Sequence, residues 1–276
     1  MNAEDLRGRV ALITGGGRGL GRAFALALSQ AGLRVAVTSR SAGELAETEA
    51  LIQGQGGAAM SVAGDVRDPE SVRAMAAEVE QAYGPLDLLV NNAGSAGALG
   101  PIWEADPAEW WDGFEVNLRG VFLCCRAALP SMIARGRGRI VTVASGAGAM
   151  PVAYMSAYAI SKAAVIRFTE TLAAETRRHG VAAFSIHPGT VRTAMTESAM
   201  TSEAATRWLP WFKNLVESQA VPPDAASRLL LYLASGAADR LSGRFFQVPE
   251  DPAEVVRRAS EVEQQDLYAL RLRRLS

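Results

Sequence analysis

Tyr158 and Lys162 stand four residues apart in "SAYAISKAAV", residues 156–165, among small and apolar neighbours. On a helix, residues so spaced are surface neighbours whose side chains can approach each other. A positive charge at that distance favours the phenolate, so the spacing predicts a Tyr158 pKa below the ordinary value. A tyrosine tuned downward can serve as a general acid/base near neutrality, which a phenol at about 10 cannot. The same pattern also describes an amphipathic helix with a tyrosine at its edge and a solvated lysine, so other residues must decide. A second candidate is "TGGGRGLG", residues 14–21, between an apolar run and a helical pattern. Glycines let a backbone approach a pyrophosphate, and a helix N-terminus offers free N–H groups and a positive dipole end. Leu20 and Arg22 fall where G-x-G-x-x-G wants glycine; Thr14, Gly15, Gly19 and Gly21 fit T-G-x-x-x-G-x-G instead.

Positioning such groups is the work of the elements around them. Short apolar runs ("RVALIT", "LRVAVTSR", "AAMSVAGDV", "LDLLVNNAG", "GRIVTVAS", "VAAFSIHPG", "GRFFQV") alternate with helical patterns of ten residues or more. One of these is a long helix around residues 107–134, and Gly32 suits the end of the first. This alternation predicts an α/β fold: one doubly wound Rossmann-type domain, with a parallel sheet of about seven strands and helices on both faces. The chain has 276 residues, 49% hydrophobic and 21% charged, with a formal net charge of −1, which suits one large domain. No basic surplus or Lys/Arg run points to nucleic acid or to an anionic membrane. The start is charged and then glycine-rich, unlike a secretory signal, and no apolar run approaches the roughly 20 residues of a membrane helix. Cys124 and Cys125 are adjacent in an apolar, helical stretch. Neighbours on a helix point apart, so they read as packing residues in a reducing cytoplasm.

Six stretches occur in order: "TGGGRGLG", "NNAG" (91–94), "VNLRG" with Asn117, "VTVASGAG" with Ser145, "YAISK", and "PGTVRT" (188–193). In their order, and in Ser145 lying 13 residues before Tyr158, they resemble the short-chain dehydrogenase/reductase family, in its shorter, oxidoreductase branch. The resemblance spans roughly residues 8 to 248 and implies hydride transfer between a nicotinamide and a secondary alcohol or ketone. By that resemblance Asn117, Ser145, Tyr158 and Lys162 form the catalytic quartet. Tyr158 trades a proton with the substrate oxygen, and Ser145 hydrogen-bonds that oxygen. Lys162 lowers the Tyr158 pKa and binds the nicotinamide ribose, and Asn117 holds a water linking Lys162 to solvent. Gly15, Gly17, Gly19, Leu20 and Gly21 form the turn around the pyrophosphate. Asp65 and Val66 edge the adenine, and Asn92, Ala93 and Gly94 lie along the cofactor. Pro188 and Gly189 flank the nicotinamide, with Val191 and Thr193 at its carboxamide. Members preferring NAD carry an acid at the end of the second strand. Here that position reads Thr38-Ser39-Arg40, with Arg18 in the glycine turn. Two guanidiniums suit a 2′-phosphate, so NADP(H) is favoured and NAD(H) remains possible. Family analogy adds a homo-oligomer, dimer or tetramer.

Other classes have less to stand on. Ser145 and His187 suggest a serine hydrolase, but "VASGA" is no nucleophile elbow. His179 and His187 lack the pairings of a zinc site, so no metal is expected. A catalytically silent dinucleotide-binding scaffold stays open. Residues 194–222 occupy the family's substrate loop, and Met195, Met200, Trp208, Trp211 and Phe212 could form a lid favouring an apolar substrate, or pack in a core or interface. The first 250 residues then make up the domain and its lid, and residues 251–276 a helical extension. In that extension Asp251 caps, Pro252 and Glu254 follow, and Val255, Ala259 and Val262 share a face that Val256, Leu267 and Leu270 widen. Arg271, Arg273 and Arg274 close it, and Glu263 and Asp266 interrupt the stripe. A lone helix of this kind should dock, on the lid near Trp208 and Trp211 or on a neighbouring subunit.

Overall fold

The computed structural model describes residues 6–272. Its seven strands are β1 (Val10–Thr14), β2 (Arg34–Ser39), β3 (Ala59–Ala63), β4 (Leu88–Asn91), β5 (Gly138–Val143), β6 (Val181–His187) and β7 (Phe245–Gln247). They pair in parallel throughout, in the order β3-β2-β1-β4-β5-β6-β7. Strand order reverses between β1 and β4, and a crevice opens beyond the carboxyl ends of strands at such a point. The helices α1 (Gly19–Gln30), α2 (Ala42–Gly54), α3 (Pro69–Tyr83), α4 (Pro107–Phe114), α5 (Gly120–Ala134) and α6 (Ser156–Thr176) connect the first six strands. Beyond β6 come α7 (Ala194–Thr201), α8 (Glu203–Trp208), α9 (Pro210–Gln219) and α10 (Pro223–Ala234), and beyond β7 α11 (Pro252–Arg257) and α12 (Ala259–Gln264).

Local chemistry explains the boundaries. Ser41, Asp68 and Asp106 accept backbone N–H bonds at the starts of α2, α3 and α4, and Pro69 and Pro107 follow two of them. Gly32, at φ +91°, lets the chain leave α1 in the left-handed region. Successive strand residues go to opposite faces. Ile13, Val37 and Phe184 join one core with Phe24 and Leu230; Leu12, Leu89 and Ile140 join the other with Val79 and Ile166. Cys124 and Cys125 belong to the second core as free thiols, their pKa values raised by burial.

Two expectations need correction. The helix at 107–134 is not regular: residues Glu115–Arg119 form a π-turn between α4 and α5. Taken together, Pro107–Ala134 is also long and apolar enough by composition to cross a membrane, which the sequence patterning did not suggest. Its Val121, Cys124, Cys125, Ala128 and Met132 are spent on the core beneath the sheet.

The tail is the second. It is broken at Arg258 into two six-residue helices, and Asp266 and Tyr268 take positive φ, so no single helix carries the stripe. Asp251 and Pro252 start α11 as expected. Within this chain the tail packs against the sheet core and not on Trp208 and Trp211. Val255, Ala259 and Val262 enter the core that holds Leu230 and Phe246, and Phe245 on β7 donates its N–H to the Tyr268 carbonyl at 2.9 Å. Arg244 pairs with Asp266 at 2.6 Å, and Arg271 reaches Glu170 on α6 at 2.7 Å. Arg273 and Arg274 lie outside the described residues. Burying a valine stabilises by about 1.5–3 kcal/mol. Cutting the chain after Val248 should therefore cost on the order of 3–6 kcal/mol from Val255 and Val262 alone. The expected result is a clearly lower urea midpoint; equal midpoints would show that the tail contributes nothing to the fold.

Candidate active site

The glycine turn owes its shape to a close approach of backbones. A Cβ on Gly21 would sit 2.1 Å from the Gly15 carbonyl oxygen, so α1 can start there only without a side chain. Gly15 and Gly19 take positive φ, at +66° and +54°. The tip of β4 holds the turn from the other side. Asn92 and Ala93 donate their N–H groups to Thr14 Oγ1 at 3.0 Å, and Asn92 Nδ2 donates to the Thr14 and Gly15 carbonyls at 2.9 and 3.2 Å. The side chain of Asn92 is therefore committed to the turn.

At its N-terminus α1 has no side-chain cap and no acid in its first turn, although α2, α3 and α4 have both. That end suits an anion: free N–H groups and a positive dipole with no carboxylate in the helix's own first turn. Leu20 is buried, and Gly17 packs against Ser39 and Glu44 so closely that a Cβ would meet the Glu44 Cβ at 2.9 Å. Arg18 is exposed and pairs with Glu44 at 3.0 Å; Arg40, also exposed, places its charge near Asp65. Glu44 escaped the sequence reading because the acid was sought at the end of β2. It arrives from the first turn of α2, four positions later.

Asp65 is held below the usual carboxylate range, chiefly by hydrogen bonds from Arg67, which also grips Asp112 of α4 at 2.6 Å. Val66 packs where a Cβ on Gly120 would go. On the far side of the cleft Gly189 turns at φ +80° after Pro188, and Val191 is buried. Thr193 caps α7 in a reciprocal pair with Thr196, and its methyl lies 3.5 Å from where a Gly19 Cβ would be. Met195 leans to a similar distance from Gly94. The two halves of the cofactor motif set therefore line one cleft.

The expected quartet sits at its floor. Ser145, just past β5, accepts from Ala147 N–H at 3.2 Å and lies near enough to the Tyr158 phenol to favour its ionised form. Lys162 is buried and donates from Nζ to the Val143 carbonyl at 2.8 Å, with Nζ 5.6 Å from the Tyr158 ring centroid. The expected tuning of Tyr158 by Lys162 does not appear. Burial raises the phenol pKa, only Ser145 opposes it, and burial alone pulls the lysine down to about 8. Asn117 sits in the π-turn, where such irregularities often serve function. Its Oδ1 accepts from Ser95 N–H at 2.8 Å, and Nδ2 donates to the Ser95 carbonyl at 2.8 Å and to Ser161 Oγ at 2.9 Å. Ser161 in turn donates to the Tyr158 carbonyl. Both amide hydrogens of Asn117 are thus engaged in clamping the β4–α4 loop to α6. His187, at the end of β6, has a buried Nδ1 with no partner and a pKa lowered by burial.

This arrangement has known counterparts. Residues 9–204 match the family model described as short chain dehydrogenase. The chain belongs to that family. A short chain dehydrogenase of Monascus purpureus, mpl6, is 34% identical over 271 residues, covering 96% of this chain and 89% of its own. Among solved structures, a metagenomic short-chain oxidoreductase in complex with NADP aligns at a TM-score of 0.70 and 35% identity, covering 84% of this chain and 93% of the other. A variant of actinorhodin polyketide ketoreductase with NADPH aligns at 0.80 and 31%, covering 90% and 97%. As a family member, this short-chain dehydrogenase is an oxidoreductase of the NAD(P)-binding Rossmann type.

Lys162 gives this site a pH signature. Between about pH 8 and the ordinary lysine range, the unfolded chain holds a proton on this residue that the folded chain has released. Stability must therefore rise with pH through that window, by at most about 1.4 kcal/mol per unit. Relative to Lys162→Met, which buries no charge, the wild type should gain stability from pH 7 to pH 10 in urea titrations. A difference that stays constant would show that the ammonium is not desolvated in the fold.

Proposed function

We propose that this short-chain dehydrogenase is an NADP(H)-preferring ketoreductase and secondary-alcohol dehydrogenase acting on apolar substrates, with Tyr158 as the general acid/base. The observation that carries the reading is the juxtaposition of the Ser145 and Tyr158 hydroxyls with the buried Lys162 ammonium, whose Nζ lies 5.6 Å from the Tyr158 ring centroid. A bound nicotinamide would supply the hydride, and the chain would supply position and a proton. Held by Gly15, Gly19 and the open end of α1 at its phosphates, and by Val191 and Thr193 at its carboxamide, the cofactor would face Tyr158. A carbonyl oxygen lodged between Ser145 and Tyr158 would accept one hydrogen bond from each, which steadies the charge developing on it. Tyr158 Oη then releases its proton to that oxygen. Burial keeps the phenol protonated, so it stands ready as the proton donor to that oxygen. Lys162 places positive charge below the phenol as it becomes a phenolate.

Arg18 and Arg40 support the cofactor preference, with Arg18 released from Glu44 to the 2′-phosphate. Met195, beside Gly94, supports an apolar lining. Exposed Trp111, Phe122 and Ile160 on α4, α5 and α6 support a homo-oligomer, which a single-chain mass in light scattering would overturn.

Replacing Tyr158 with Phe should lower NADPH-dependent ketone reduction by about 10²–10⁴-fold while NADPH still binds. Near-full activity would remove Tyr158 from the chemistry, and the scaffold reading gains if the wild type itself turns nothing over. Arg40→Asp should shift the NADP-over-NAD preference in kcat/KM by roughly tenfold or more, since a charge-assisted hydrogen bond contributes about 1.5–3 kcal/mol. A wild type equally efficient with both cofactors would contradict this role of the arginines.

A further inference from the structure

Three loops meet beside the cleft, and one aromatic contact joins them. Tyr154, in the β5–α6 connection, holds φ +66°, a backbone state that a bulky side chain rarely adopts. Its carbonyl accepts from Gly100 N–H at 2.9 Å, which fixes it to the β4–α4 loop. Its ring lies 5.0 Å from that of Trp208, at the end of α8 in the lid, with the planes tilted by 35°. Gly100, at φ +125°, gives the indole its room: a Cβ there would stand 3.4 Å from Trp208. The Arg207 guanidinium lies over the Trp208 ring at 4.6 Å.

We propose that the Tyr154–Trp208 contact is the specificity latch of this enzyme. Trp208 is a positioning residue that fixes the lid against the β4 and β5 loops, and the wall so formed selects bulky apolar ketones over small ones. The reading rests on the ketoreductase activity proposed above. Two observations carry it beyond that activity. The backbone at Tyr154 is held in an unfavoured conformation where the ring meets the lid, and strain of this kind persists only where the surroundings enforce it. Each of the three joined segments also bears an exposed large apolar side chain: Trp103 at 80%, Met150 at 64% and Trp211 at 44% exposure. Apolar side chains exposed on all three segments joined at this contact suit a ligand with an apolar body, because burying it against them removes both surfaces from water. Small ketones reach Ser145 and Tyr158 without touching these side chains.

The test measures kcat and KM for 2-tetralone and for acetone with NADPH. Wild type should favour 2-tetralone through KM. Trp208→Ala and Tyr154→Ala should each raise the 2-tetralone KM about five- to tenfold with kcat little changed, the size expected from losing one aromatic pair. Neither should alter the acetone KM. The double variant should be no worse than either single one, since both remove the same contact, and Trp208→Phe should restore most of the wild-type KM. An unchanged 2-tetralone KM, additive effects, a loss confined to kcat, or no rescue by Phe would each overturn the latch. If wild type reduces neither ketone, the ketoreductase reading is what fails, and limited proteolysis of residues 194–222 then decides the latch. Faster cleavage in Trp208→Ala but not in Trp208→Phe would support it, and equal cleavage would overturn it.

Discussion

The arrangement of the cleft depends on one contact between main chains, that of Gly21 with the Gly15 carbonyl. Because α1 begins within that turn, the distance between the two residues sets how close the helix stands to the end of β1. The Asn92 amide and the Thr14 hydroxyl lock the same turn to β4 across the point where strand order reverses. A side chain at Gly21 would push α1 away and break the bonds that seat Asn92. Phosphate turn, β4 tip and cleft width are therefore one mechanical unit.

Burial organises the electrostatics on the floor of that cleft. The environment that pushes Tyr158 up pulls Lys162 down, because each shift favours the uncharged form. The Val143 carbonyl gives the ammonium one strong acceptor, so the charge persists at neutral pH although it is desolvated. Strand β5 thereby serves both partners, since Ser145 follows Val143 by two residues and lies beside the phenol.

Much of this was legible in the residues. The strand runs and the glycine spacing gave the parallel sheet and its turn, because both follow from local patterns of apolar side chains and of residues without Cβ. What escaped depends on contacts distant in sequence. No local pattern marks the π-turn that carries Asn117; it is fixed by Ser95 and Ser161, one on a loop and the other on α6. The pairing of Arg18 with Glu44 needs α1 and α2 side by side. The tail follows helical periodicity as far as Val262, but Arg240 and Arg244 draw Glu263 and Asp266 to the sheet side, and the chain turns there instead of extending. The pKa of Tyr158 went the other way from the spacing argument because depth of burial is invisible in a four-residue interval.

The tail also changes what the sheet offers to other chains. An open strand edge is a template for pairing with any extended segment. On β7 the tail occupies that edge through the bond from Phe245 to Tyr268, and on β3 the Gln53 amide reaches the Ala59 carbonyl at 3.2 Å. Each outer strand of the seven-stranded sheet thus has one edge group taken up by its own chain, which leaves fewer groups for another chain to pair with. A molecule whose last residues peel away uncovers β7 while the rest of the sheet is intact. An extended segment of another chain could then add to β7 at the position that Tyr268 had filled.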